Sequence, residues 1–158
     1  IQNAGIFRTD DKILSRDPQL KFSTMNSDIP PRFVGGLVNH DKLSSSHGYK
    51  VFYSGVEGEK LIQGGGAKFP VEDVVLNLGW SWIGHAPHII HDVNSGIHNV
   101  SGQFSPDDQI KTRSGSLLTF CTYTGSKFEP EGFELKPGVG YEVKVAQAIT
   151  FRYVHVDI

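Results

Sequence analysis

The chain has 158 residues, 38% of them hydrophobic, and a formal charge of -2 from 15 basic and 17 acidic side chains. That length can bury one full core or two small ones, and the composition is not that of a disordered chain. The charges are interspersed without a run of one sign, so nucleic acid and anionic membranes are not expected partners. No apolar run approaches the roughly 20 residues needed to span a bilayer, so no membrane insertion is expected.

The opening residues IQNAGIFRTDDK carry neither a basic flank nor an apolar segment of signal-peptide type. The block DD-x-I-x-x-R that follows reads as a turn entering a strand. Asp10 and Asp11 can cap turn amides, and Ile13 alternates with polar neighbours as a half-buried strand requires. LKFSTM, residues 20 to 25, supplies a second apolar strand, and LSSSHGYKV leads through Gly48 and Tyr49 into a third, YKVFY. Gly64, Gly65 and Gly66 make a flexible turn, after which VEDVVLNLGW resumes strand character. HDVNSGIHNV is the one helical patch, with Asp92 as cap and Val93, Ile97 and Val100 at spacings of four and three. Beyond it come a second DD block, LLTFCTYTG, LKPGVGYEV and a closing strand in which Ile149, Phe151 and Tyr153 alternate inward.

The chain contains itself. With one residue of slack, residues 1 to 16 match residues 97 to 113 at Ile1/Ile97, Asn3/Asn99, Phe7/Phe104, Asp10/Asp107, Asp11/Asp108, Ile13/Ile110 and Arg16/Arg113. The register continues through LKFSTM against LLTFCTY and LSSSHGYKV against LKPGVGYEV. Ordered agreement in three blocks indicates duplication of one β unit. The glycines Gly48 and Gly140 are expected to allow a conformation or a close approach that a Cβ would obstruct. About eighteen residues, from Gly79 to just before Ile97, have no counterpart ahead of Ile1. The expected organisation is therefore a truncated first repeat over 1-62, a connecting segment over 63-78 and a complete repeat over 79-158. The fold class expected is all-β: two related small barrels or sandwiches with a short helical turn, the first unit lacking its N-terminal part. An edge left open by a missing strand favours pairing with another chain.

GWSWIG, a helical turn, D-x-I-x-x-R, a turn-linked strand and LKPGVGYEV, taken together, resemble the GW…PGxGY β-repeat found in tandem in large secreted and cell-surface proteins. The resemblance covers Gly79 to about Phe151 as a full copy and Ile1 to about Tyr53 as a partial one. Ser45 stands in the first copy where the second has Pro137, and FCTYTGSKFEPEGF has no Gly-Trp at its centre. What the resemblance implies is an extracellular or cell-surface location and a spacer, adhesive or assembly role, with no catalytic residue carried over.

His85, His88 and His91 recur every third residue and are weak metal candidates. Pro87 interrupts any helix that would stack them, so surface or loop positions are expected. Trp80 and Trp82 share one strand face and are expected in the core. The alternative is an aromatic platform for sugars, with Tyr123 beside it. The paired aspartates Asp10-Asp11 and Asp107-Asp108 lack a D-x-D-x-D-G pattern and read as turn caps rather than calcium ligands. Cys121, the only cysteine, excludes an internal disulfide and reads as a small buried hydrophobe. Asn99-Val100-Ser101 fits the N-glycosylation pattern, and none of the hydrolase, phosphate-loop or zincin signatures occurs. The function expected is a non-catalytic structural or adhesive module of an extracellular repeat protein, part of a filament or surface assembly. It needs no cofactor, and its partners are other chains of the assembly or the rest of a longer repeat protein. The alternative is a lectin-like module that binds glycan on the Trp80/Trp82 face.

Overall fold

The computed structural model describes residues 7-17, 19-28, 32-37, 47-52, 54 and 73-154. Ile1, Asn3, Ser45, Tyr53 and the Gly64 to Gly66 turn lie outside them. The protein is all-β with antiparallel pairing throughout and a single helical turn among the described residues.

Four strands form the first sheet: β1 (Lys12–Asp17), β2 (Gln19–Met25), β3 (Phe33–Gly35) and β4 (Lys50–Phe52), ordered β3-β2-β1-β4. Ahead of β1 the chain turns at Asp10, whose φ of 73° is open to Asp because its short side chain tolerates the left-handed region. Asp11, buried, accepts the Arg8 amide at 2.7 Å and the Ser54 amide at 2.8 Å. Its carboxylate thus ties the start of β1 to the chain leaving β4. Burial alone would raise its pKa, but the amide of Arg8 and then Ser54 outweigh it and hold Asp11 below the usual carboxylate range. Inside, Phe7, Ile13, Met25 and Phe33 make a small core with Leu37 and Tyr49 at its margin.

Ten further strands and the helical turn form the rest: β5 (Asp73–Leu76), β6 (Gly79–Gly84), β7 (His91–Asp92), α1 (Val93–Gly96), β8 (Ile97–Ser101), β9 (Gln109–Ser114), β10 (Leu117–Tyr123), β11 (Phe128–Glu129), β12 (Glu134–Leu135), β13 (Gly140–Val145) and β14 (Ile149–Tyr153). A five-stranded sheet ordered β11-β10-β9-β13-β6 and a three-stranded sheet ordered β5-β14-β8 enclose a continuous core, with the β12-β7 pair beside α1. Both layers feed it, Ile110, Cys121 and Val143 from one and Leu76, Ile149 and Phe151 from the other, which is how a sandwich hides two apolar faces at once. The closing strand is β14, with Ile149, Phe151 and Tyr153 inward as the alternation requires. β5 lies in the segment read as a connector, where strand character was expected, and it pairs with β14 and buries Val74 and Leu76.

One arrangement occurs twice. The orders β3-β2-β1-β4 and β11-β10-β9-β13 correspond strand for strand. Asp107 has φ 70°, and Asp108 accepts the Ser105 amide and the Ala146 amide, each at 2.8 Å, as Asp11 accepts those of Arg8 and Ser54. Met25 donates to Asp11 O at 2.8 Å, and Tyr123 to Asp108 O at 2.8 Å. Phe7 meets Phe33 edge-on at 4.9 Å, and Phe104 meets Phe128 edge-on at 4.9 Å. Hydroxyls complete the set, Ser15 donating to Gly48 O and Thr112 to Gly140 O. The aspartates therefore act as turn caps, each closing two amides that would otherwise be unpaired.

The helical patch is the short turn expected: Asp92 caps it, its carboxylate accepting the Asn94 amide at 2.8 Å, and Ile97 onward is strand β8 paired to β14. Other expectations are corrected. The Leu-x-Phe blocks do form β2 and β10, yet Leu20, Phe22, Leu118 and Phe120 point outward and stay exposed, while Ser23 and Cys121 take the inner positions. Gly48 does meet a close approach, since a Cβ there would lie 2.7 Å from the Ile83 carbonyl oxygen. At Gly140 the nearest atom would be at 4.0 Å, so that glycine is not sterically required.

Candidate functional site

Strand β6 carries the chain's only two tryptophans, and its alternation sends Ser81 and Ile83 into the core and Trp80 and Trp82 to the outer face of the five-stranded sheet. Trp80 is only half-buried and outside the core, contrary to the expectation for it, whereas Trp82 is buried, against the first sheet rather than inside the sandwich. Their surroundings come from pairing: Trp82 stands opposite Glu142 on β13, and Glu142 opposite Lys111 on β9. This row crosses three strands, as neighbours on one face of a sheet do.

Cations cover the rings. Lys111 Nζ lies 3.9 Å from the Trp80 ring centre and 3.0 Å from Glu142 Oε2. Lys50, from the first sheet, reaches across to donate to Glu142 Oε1 and sits 4.4 Å from the Trp82 ring centre. Two ammonium groups and two indoles thus interleave around one carboxylate, combining ion pairing with attraction to the ring faces. Burial of Glu142 would raise its pKa, but hydrogen bonds from Lys50 and then Lys111 outweigh this and hold it below the usual carboxylate range.

The first sheet reaches this place through its own backbone. His47 forms an antiparallel bridge with Ile83, and the Gly48 amide donates to Trp82 O at 2.9 Å. The start of the GY segment therefore occupies the edge of β6 that β13 leaves free. Trp82, only 8% exposed, is buried by this junction. Beside it opens a cleft of about 360 Å³ lined by residues of both sheets, among them Tyr49, Lys50, Trp82, Lys111, Arg113 and Glu142. Arg113 makes no ion pair among the described residues.

Tyr123 does not join the tryptophans. It lies on the opposite, inner face of the sheet, packed against Phe104 and Phe128, where β10 must turn it to continue the side that buries Cys121. Only His88 of the three histidines is exposed. His85 and His91 are buried, correcting the surface reading, with His91 Nδ1 3.3 Å from His85 Nε2 and the His85 ring edge-on to Tyr153. The loop from β6 to β7 doubles back and brings residues six apart into contact. Burial lowers the pKa of His85, only partly opposed by the Ile89 carbonyl, and His91 lowers it further. Among the described residues no group of three or more His, Cys, Asp or Glu is placed to hold a metal ion. Cys121 is fully buried and its thiol is pushed up to about 12 by that burial, so it does not offer a thiolate near neutral pH. Asn99 is exposed on β8.

Sequence reasoning missed Lys50, Lys111, Arg113 and Glu142. Alternation in QIKTR and YEVKV does put these charges on one strand face. Nothing in the sequence pairs that face with the tryptophan strand, because the β6-β13 and β13-β9 ladders are long-range. Comparison with family models, with curated proteins and with solved structures finds no match.

Proposed function

We propose that this chain is a non-catalytic, contact-making part of an extracellular repeat protein, in which one β unit has been duplicated and the copies are joined edge to edge. The observation that carries the reading is the twofold recurrence of one bonded frame: a left-handed aspartate, a buried capping aspartate and an edge-on phenylalanine pair, in the same strand order. Duplicated modules whose edges are bridged by backbone hydrogen bonds extend readily into arrays. The exposed Leu20 and Phe22, repeated as Leu118 and Phe120, give both units the same outward apolar pair for contact. Sedimentation over a range of concentrations tests the assembly role. Reversible or filamentous association is expected, and a strict monomer at every concentration, together with failure to bind a neighbouring repeat, would overturn it. Expression through a eukaryotic secretory route tests the location, with a glycan mass at Asn99 as the expected signature.

A second reading, glycan binding, is favoured by the cleft beside Trp82, which is open, part aromatic and rich in hydrogen-bonding groups. It places the ligand at the junction of the sheets rather than on a bare Trp80/Trp82 platform, because lysines cover those rings.

A further inference from the structure

The cleft where the sheets meet has a charge character that narrows its ligand. Its walls carry Lys50, Lys111 and Arg113 against the single carboxylate of Glu142. Glu142 is already engaged by both lysines, whereas Arg113 has no ionic partner among the described residues. A planar guanidinium in a partly enclosed site next to two ammonium groups is a receptor for an oxyanion, which it can bind through two parallel hydrogen bonds. The rest of the lining is not a simple anion hole. Tyr49 gives it aromatic surface, Trp82 lies in its wall beneath Lys50, and Glu142 with the Thr112 hydroxyl gives it acceptors. Acceptors suit hydroxyl groups, and aromatic surface suits the C–H face of a sugar ring. A lone phosphate would leave most of the roughly 360 Å³ unfilled. An acidic peptide could not add as a strand here, since the outer edge of β6 is taken by Gly48 and the walls present strand faces rather than edges.

We infer that this cleft binds an acidic saccharide, with Arg113 and Lys111 holding its carboxylate or sulfate and Tyr49 flanking the ring. The inference rests on the glycan-binding reading and sharpens it to a charge class. Lys50 reaches from the first sheet to a carboxylate on the second, so a ligand in the cleft touches both sheets and favours their joined arrangement.

The test is a titration of the whole chain, followed by tryptophan fluorescence and by amide chemical shifts, with a uronate tetrasaccharide, a sulfated tetrasaccharide, a neutral glucose tetrasaccharide and tetraglutamate. The expected result is binding of one or both acidic saccharides, weakening as salt rises, with shifts confined to β6, β9, β13 and the Gly48 segment. Whichever acidic saccharide binds identifies the anionic group. Arg113→Ala is expected to weaken binding about tenfold or more, since a charge-assisted hydrogen bond is lost. Arg16→Ala, at the matching place on the first sheet and outside the cleft, is expected to leave affinity unchanged. Equal binding of the neutral tetrasaccharide would overturn the charge selectivity and leave glycan binding standing. Silence with every saccharide would overturn both. Tetraglutamate binding as tightly as the acidic saccharides would transfer the site to acidic peptides, and an unaffected Arg113→Ala would overturn the site assignment.

Discussion

Val51 and Val143 occupy matching places, each opposite the inward isoleucine of its neighbouring strand, Ile13 and Ile110. Val51 is 46% exposed and Val143 1%. The difference lies in what covers them. Over the five-stranded sheet lies the β5-β14-β8 layer, and the two together bury fifteen core side chains, whereas the described part of the first sheet buries four. The same bonded frame therefore stands in two conditions, once inside a full sandwich and once beneath a thin core. Turn caps and edge-on aromatic pairs define the frame, but apolar cover determines how stable it is. The first sheet borrows part of what it lacks: its edge is bridged to β6 through His47 and Gly48, and Lys50 anchors on Glu142.

The comparison can be broken most forcefully at the caps. Asp108→Ala takes the acceptor from the part-buried amides of Ser105 and Ala146, and a loss of about 3 kcal/mol is expected in urea unfolding of the sandwich. Asp11→Ala removes the same links from the thinner unit. Hydrogen exchange is expected to show the first sheet losing protection while β9, β10 and β13 keep theirs. Equal protection in both sheets would mean that they unfold as one.

A gentler probe trims the two valines. Val143→Ala is expected to cost about 2 kcal/mol and Val51→Ala under about 0.5, since only the former leaves a cavity. Comparable costs would show that Val51 is covered in solution, as by self-association.

At the junction, Gly48→Ala forces a methyl group against the Ile83 carbonyl, and a loss of about 1 to 2 kcal/mol is expected together with faster exchange of the residue 48 amide. Gly140→Ala, with open space around it, serves as the control and is expected to be mild.

Acid should separate the units differently. Burial holds the folded pKa of His85 below its ordinary 6.5, so the folded sandwich favours the neutral ring. Its contribution is complete above 6.5 and is lost as pH falls from there through the folded value, because the unfolded chain then binds the extra proton. The urea midpoint of the sandwich is thus expected to drop between neutral and mildly acidic pH, and His85→Gln is expected to flatten that drop. Glu142→Gln is expected to cost under about 1 kcal/mol at a partly exposed ion pair, diminishing as salt is added.

Local signals in the sequence were dependable where a few neighbouring residues settle the outcome. Strand character, the turns at the DD blocks, the cap at Asp92 and the alternation in the closing strand all follow from side-chain size, backbone preference and hydrogen bonds reaching only a few residues. Which face of a strand becomes the core was less legible. Leu20 and Phe22 look like core residues but point outward, because Ile13 and Met25 fix the inner side of the same sheet. Trp80 misled for the same reason, since β6 spends its inward positions on Ser81 and Ile83, and Trp82 is buried only because the first sheet meets that face.

The amino-acid sequence by itself determined an all-β chain, the aspartate-capped turns and the internal likeness of two segments, since each is written in short-range geometry or direct residue identity. Tertiary structure alone decided that Lys50 meets Glu142, residues 92 apart, that His85 and His91 close on each other and that Gly48 seals the edge of β6. Those contacts depend on ladders between strands distant in the chain. Their register is chosen by the joint burial of many side chains, and no short stretch encodes it.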